Sequence, residues 1–262
     1  MRKYLTAVLL ACLYPALCSA TWTISNSNAN SGAATGAATN ISNSAGDSIF
    51  VLVASFSGTN AVTSVTLSSN SCATSFTLVV AKAQGTVADS EIWSASNCPA
   101  SGARNINVNF TGGGVMVTTV IAVTGVSATA YTTNTSSGTS FGSTSVVGPA
   151  VTTTSTGDFV LSVWDPLHSV TAVSSGWTWP GTGQVGTANL TSNSAVAGSY
   201  APTWTLNADG NWSAVTAAFA QASSNNTARH LIIQGAGFRI LRVPWDRPRK
   251  MIALERHQIE KI

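Results

Sequence analysis

Two stretches of this chain bring together side chains able to do chemistry. The run Ser162-Val163-Trp164-Asp165-Pro166-Leu167-His168 holds a hydroxyl, a carboxyl and the single histidine of residues 21–222, the residue types of a nucleophilic hydrolase triad. A triad is a spatial arrangement, and no strained turn of the Gly-x-Ser-x-Gly kind flanks Ser162. The run therefore reads as a strand leaving through an Asp165-Pro166 turn, with His168 in solvent. The second stretch is Asp89 and Glu91, two residues apart. Glycoside hydrolysis needs two acids flanking a sugar across a cleft. Two carboxyls on one face of a single strand read instead as a solvated edge.

The other acids read as turn chemistry. Asp47 and Asp158 each follow a glycine and are expected to accept hydrogen bonds from turn backbone. Asp209-Gly210 reads as a hairpin turn between Leu206 and Trp212. No calcium-loop spacing and no phosphate-cradling glycine loop is present, so neither a metal nor a cofactor is expected. Aromatic residues are the stronger lead. Trp177-Thr178-Trp179-Pro180-Gly181 sets two Trp on one side of an extended segment beside a Pro-Gly turn. Exposed Trp faces stack on sugar rings, and a neutral, hydroxyl-rich setting suits an uncharged glycan. The competing reading is that these rings fill a core, because large aromatics dominate core burial. Trp93, Trp164, Trp204 and Trp212 sit within strand-like runs and read as core.

The elements that position these residues are written in the composition. Charged residues are 8% of the 262-residue chain, against about 25% in ordinary soluble proteins. Residues 21–222 hold two basic side chains and six acidic ones, and residues 223–262 hold eight basic and three acidic. A nearly uncharged body thus carries a basic tail, and the net charge of +3 gives no footprint for a nucleic-acid partner. Residues 1–20 have the layout of a secretory signal: Arg2-Lys3, an apolar run from Tyr4 to Leu17, and small residues at Cys18-Ser19-Ala20. Export would leave no transmembrane segment after cleavage. It would also leave one cysteine pair, Cys72 and Cys98, expected as a disulfide. Closing that loop would restrict the unfolded chain by about 3 kcal/mol.

From Thr21 to Ala222 short runs rich in Val, Thr, Ile, Phe and Trp alternate with Ser/Asn/Gly clusters, the pattern of strands and turns. The expected fold is all-β, an antiparallel, jelly-roll-like β-sandwich. Its domain would span residues 21–222, between the signal (1–20) and the basic tail (223–262). A faint internal repeat reads either as two pseudo-symmetric halves or as the common turn chemistry of Gly-Asp before a strand. Gly46-Asp47-Ser48-Ile49-Phe50-Val51-Leu52-Val53 is echoed by Gly157-Asp158-Phe159-Val160-Leu161-Ser162-Val163, and Val108-Asn109-Phe110-Thr111 by Trp204-Thr205-Leu206-Asn207.

These segments, with Val62-Thr63-Ser64-Val65-Thr66, Glu91-Ile92-Trp93, Val120–Gly125 and Ser175-Gly176-Trp177-Thr178, resemble a family of Ser/Thr/Gly-rich β-sandwich modules in bacterial exported and phage-associated proteins. The resemblance covers about residues 46–220 and implies a fold rather than an activity. The expected function is recognition at the cell surface or outside it by a non-enzymatic module, through glycan binding or adhesion, with Trp177 and Trp179 contacting a neutral polysaccharide. The alternative is a structural subunit of an extracellular filament or surface layer whose partners are copies of itself, with residues 21–43 adding as a strand to a neighbour's sheet. A secreted hydrolase stands third.

Overall fold

The computed structural model describes residues 21–33, 37–55, 62–69, 71–111, 115–139, 144–166, 170–178, 187–190 and 196–222. Residues 1–20, the basic tail from 223 onward, His168 and Trp179 lie outside the described residues. The chain divides into the units Met1–Ser223 and Ser224–Ile262, and everything below concerns the first.

The described chain is all-β, and its strand pairings are antiparallel. Eight strands make the first half: β1 (Thr23–Ala33), β2 (Ala37–Asn43), β3 (Asp47–Ser55), β4 (Val62–Leu67), β5 (Thr77–Gln84), β6 (Ala88–Cys98), β7 (Ser101–Phe110) and β8 (Val115–Thr124). A five-stranded sheet in the order β1-β8-β3-β6-β5 faces a three-stranded sheet in the order β2-β7-β4. The second half comprises β9 (Val126–Thr139), β10 (Ser145–Val147), β11 (Val151–Thr152), β12 (Phe159–Pro166), β13 (Val170–Val173), β14 (Trp177–Thr178), β15 (Thr187–Leu190), β16 (Ser199–Tyr200), β17 (Thr203–Leu206) and β18 (Asn211–Gln221). Its sheets run β14-β15-β12-β18-β9 and β10-β17-β13, with β11 paired to β16.

The two halves share one topology. Strands β1, β8, β3, β6 and β5 correspond in order to β9, β18, β12, β15 and β14, and β2, β7 and β4 to β10, β17 and β13. The repeat expected from Gly46-Asp47 and Gly157-Asp158 is therefore real, and its turns match in detail. Gly46 and Gly157 have φ of 85° and 84°, a region where a Cβ would clash with backbone. Asp47 then accepts the Ser44 N–H at 2.8 Å and Asp158 the Ser155 N–H at 3.1 Å.

Alternation along the central strands builds three cores. On β3, Ile49, Val51 and Val53 face Ile41, Ile106 and Val108 of the three-stranded sheet. The intervening Phe50 and Leu52 face Phe159, Leu161, Val215 and Phe219 of the other five-stranded sheet. On β12, Val160 and Trp164 point outward to Val146, Trp204 and Leu206. The sheets thus stack in the order three, five, five, three. Strands buried on both faces read as apolar runs, unbroken from Ile49 to Ala54 in β3 and interrupted by Ser162 between Phe159 and Trp164 in β12. The halves differ in what fills their outer cores. The first is closed by the Cys72–Cys98 disulfide, Cα–Cα 4.0 Å. The second, with short outer strands, is filled by Trp164, Trp177 and Trp204, with Trp212 against them.

Two expectations are corrected here. Residues 23–33 pair with β8 and 37–43 with β7 of their own half, because β8 and β7 offer them long in-register ladders; they are not a free donor strand. Asp209-Gly210 joins β17 to β18, which belong to different sheets. It is a crossover between layers rather than a hairpin.

Candidate functional site

A groove of about 360 Å³ runs between β5 and β9, the edge strands of the two five-stranded sheets. Thr77, Leu78 and Val79 form one wall and Thr129 to Thr133 the other, with the buried Ser94 and Ala128 deepest. Ser94 holds the walls in register by donating its hydroxyl to the Ala128 carbonyl at 2.7 Å. None of the lining side chains is charged. Two large apolar side chains stand at the lips, Leu78 at 47% exposure and Tyr131 at 39%.

Tyr131 is held before any ligand arrives. Its phenol donates to Asp158 Oδ2 at 2.5 Å and accepts the Thr154 N–H at 3.4 Å. Burial, and then the Asp158 carboxylate, push the phenol up to about 12, so it stays a neutral donor. The turn acid of the second half thereby orients an aromatic ring at the groove. Because β5 and β9 are edge strands among the described residues, each wall also presents backbone polar groups that no described sheet neighbour uses.

The ionisable chemistry lies elsewhere, inside the protein. Asp89 and Glu91 of β6 and Asp165 of β12 are each 1% exposed or less. Glu91 accepts the Val62 N–H at 3.3 Å and the Trp93 Nε1–H at 2.5 Å, and its carboxyl lies on the same face of β6 as that of Asp89. Burial, then the Asp89 carboxyl, raise Glu91 from 4.5 to about 8, against the pull of the Trp93 and Val62 donors. Asp165 accepts the Asp89 N–H at 2.9 Å. It too is raised well above the ordinary carboxyl range, by burial first and with the Asp89 charge adding, while the Asp89 and Ser55 amides oppose.

Comparison with protein families, curated proteins and solved structures returned no match. The site therefore rests on its own geometry.

Several sequence expectations change. Asp89 and Glu91 do share a face, as their spacing requires, but that face is sealed beneath Val62 and Trp93 rather than solvated. Ser162 and Asp165 lie on opposite faces of β12: Ser162 bonds the Val215 carbonyl at 3.1 Å and Thr216 Oγ1 at 3.0 Å, whereas Asp165 reaches Asp89 across the other face. Three residues apart on a strand, they cannot meet in one triad. Asp165 is fully buried rather than part of an exposed turn.

Trp177 is 8% exposed and packs in the third core, so its ring face is not offered to a sugar. The groove residues carried no signal of their own in the sequence. Leu78 and Tyr131 are 53 positions apart, and only the packing of two sheet edges brings them together. Among the described residues no group of three or more His, Cys, Asp or Glu is arranged to hold a metal, and no helix is long and apolar enough to cross a membrane.

Proposed function

We propose that the protein is an exported, non-enzymatic recognition module that holds an uncharged polysaccharide in the groove between β5 and β9. The observation carrying this reading is the oriented Tyr131 ring on a charge-free, threonine-lined wall, opposite the exposed Leu78. Sugar binding uses an aromatic face for C–H contacts and hydroxyl or amide groups for the ring oxygens, and the groove supplies both. Its volume falls at the small end of ligand sites, about 300–1,000 Å³, which suits one or two sugar units of a longer chain. Non-enzymatic action accords with the burial of the Asp89, Glu91 and Asp165 carboxyls and with the engagement of Asp158 by the Tyr131 phenol. Export accords with the signal-like residues 1–20 and with the disulfide, a bond typical of oxidising compartments. Membership of the exported and phage-associated β-sandwich modules that the sequence resembles fits the same reading.

The test is retention on insoluble neutral polysaccharides, with cellulose, chitin and starch as probes. Wild-type protein is expected to be retained at about 1 M NaCl, where charge interactions are screened beyond about 3 Å. Leu78→Ser, at an exposed position, should weaken retention without changing the melting temperature. Tyr131→Ala should abolish it. Retention unaffected by both substitutions, or lost in salt, would exclude the groove as the sugar site.

A further inference from the structure

The two five-stranded sheets meet through an apolar core, yet at one end of their contact the side chains turn polar. Asp165 Oδ2 of β12 accepts the Asp89 N–H of β6 at 2.9 Å. One residue along, Ser90 Oγ lies 3.0 Å from the Ser213 carbonyl and 2.9 Å from Ser213 Oγ. The internal repeat does not demand an acid here. Setting Asp47 opposite Asp158 sets Ala54 opposite Asp165, and Ala54 packs in the same apolar core with no polar group. Asp165 instead places a fully buried carboxyl at this point, and its Oδ1 has no hydrogen-bond partner among the described residues.

We propose that Asp89, Glu91 and Asp165 form a proton-held latch between the two halves, closed while the cluster keeps its protons and loosened when it loses them. The Asp89 and Glu91 carboxyls share one buried face of β6 with no cation on it, so at least one of them holds a proton. Loss of it sets like charges against each other in a site shut off from water.

The surrounding elements offer little to compensate. Strand β3 contributes Ser55, β4 Val62 and β18 Ser213, none of them charged. Strand β5 carries Lys82, which pairs with Ser90 and so lies on the opposite face of the sheet from Asp89 and Glu91 and on the face turned toward the second half; the groups that act on Asp165 are Asp89 and Ser55. The sign follows. Glu91 is raised in the folded protein from 4.5 to about 8, and Asp165 is raised as well. The folded state then binds more protons than the unfolded chain, so stability is full below the ordinary carboxyl range and falls as pH rises through about 8.

The test follows the full-length protein from about pH 5 to about pH 9. The melting temperature is expected to fall by roughly 5–10 °C over that range. Exchange of the Asp89 amide should accelerate by more than the tenfold per pH unit of base catalysis alone. Glu91→Gln and Asp165→Asn, which keep shape and remove the ionisation, should each lose most of this pH dependence. A flat or rising wild-type profile, or variants that keep the wild-type slope, would overturn the latch. If the variants fail to fold, the side-chain carboxyl of Glu91 in the wild-type protein decides by carbon-13 titration. A midpoint near about 8 supports the latch, and one near 4.5 refutes it.

Discussion

Trp177 lies in the outer core of the second half, in the cluster where the rings of Trp164 and Trp204 sit 5.6 Å apart. Truncating it would leave a void that the short strands around it cannot close. Trp177→Ala is therefore expected to cost about 3–5 kcal/mol, lowering the melting temperature by roughly 10 °C. The fraction that stays folded should still be retained on polysaccharide, because the groove lies at the β5 and β9 edges. Loss of retention at unchanged melting temperature would return the sugar site to Trp177. The sequence left this residue open because its strand is two residues long, too short for alternation to name a face. Asp89 and Glu91 were legible as sharing a face. Their burial was not, since the groups that seal them come from β4, 29 positions from Glu91, and from a neighbouring Trp whose direction depends on that same packing.

At the scale of elements, what could be read was whatever carried apolar alternation or an apolar run. The runs Val62-Thr63-Ser64-Val65-Thr66 and Trp204-Thr205-Leu206 lie within β4 and β17, and the apolar runs that follow Gly46-Asp47 and Gly157-Asp158 are β3 and β12. The strands that escaped are polar. The β1 sequence TISNSNANSGA has no hydrophobic period, and it is a strand because its backbone pairs with the buried β8 over ten residue pairs. Edge strands take their order from a neighbour, which composition cannot report. The disulfide was legible from the cysteine count alone. It ties the β4–β5 connection to the end of β6, so it constrains the first half without contributing to the second. Replacing Cys72 and Cys98 by Ala together is expected to cost about 3 kcal/mol. The melt should stay a single cooperative step, as checked by denaturant titration at unchanged m-value. A separate early transition would show that the bond holds an element which otherwise detaches.

The repeated topology raises the question of whether each half is a domain. The middle core answers it. Phe50 of the first half meets Phe219 of the second at 4.7 Å and Phe159 at 5.6 Å, and Trp22 meets Phe159 at 4.8 Å. Leu52, Ile92, Ile121 and Val123 lie on one side, and Leu161, Val163 and Val215 on the other, all buried. Each such side chain contributes about 1.5–3 kcal/mol when removed from water, and a whole protein is stable by only about 5–15 kcal/mol. A half cut away from its mate would expose one complete apolar sheet face, at a cost that its own outer core does not offset. Residues 21–222 are therefore expected to unfold in one calorimetric transition, with the calorimetric and van't Hoff enthalpies equal. Residues 21–125 and 126–222, made separately, should be aggregated or self-associated when alone and should recover the native melt when refolded together. A monomeric, sharply melting half, or two resolved transitions in the whole, would mean that the halves are independent domains and that the middle core is an interface between them.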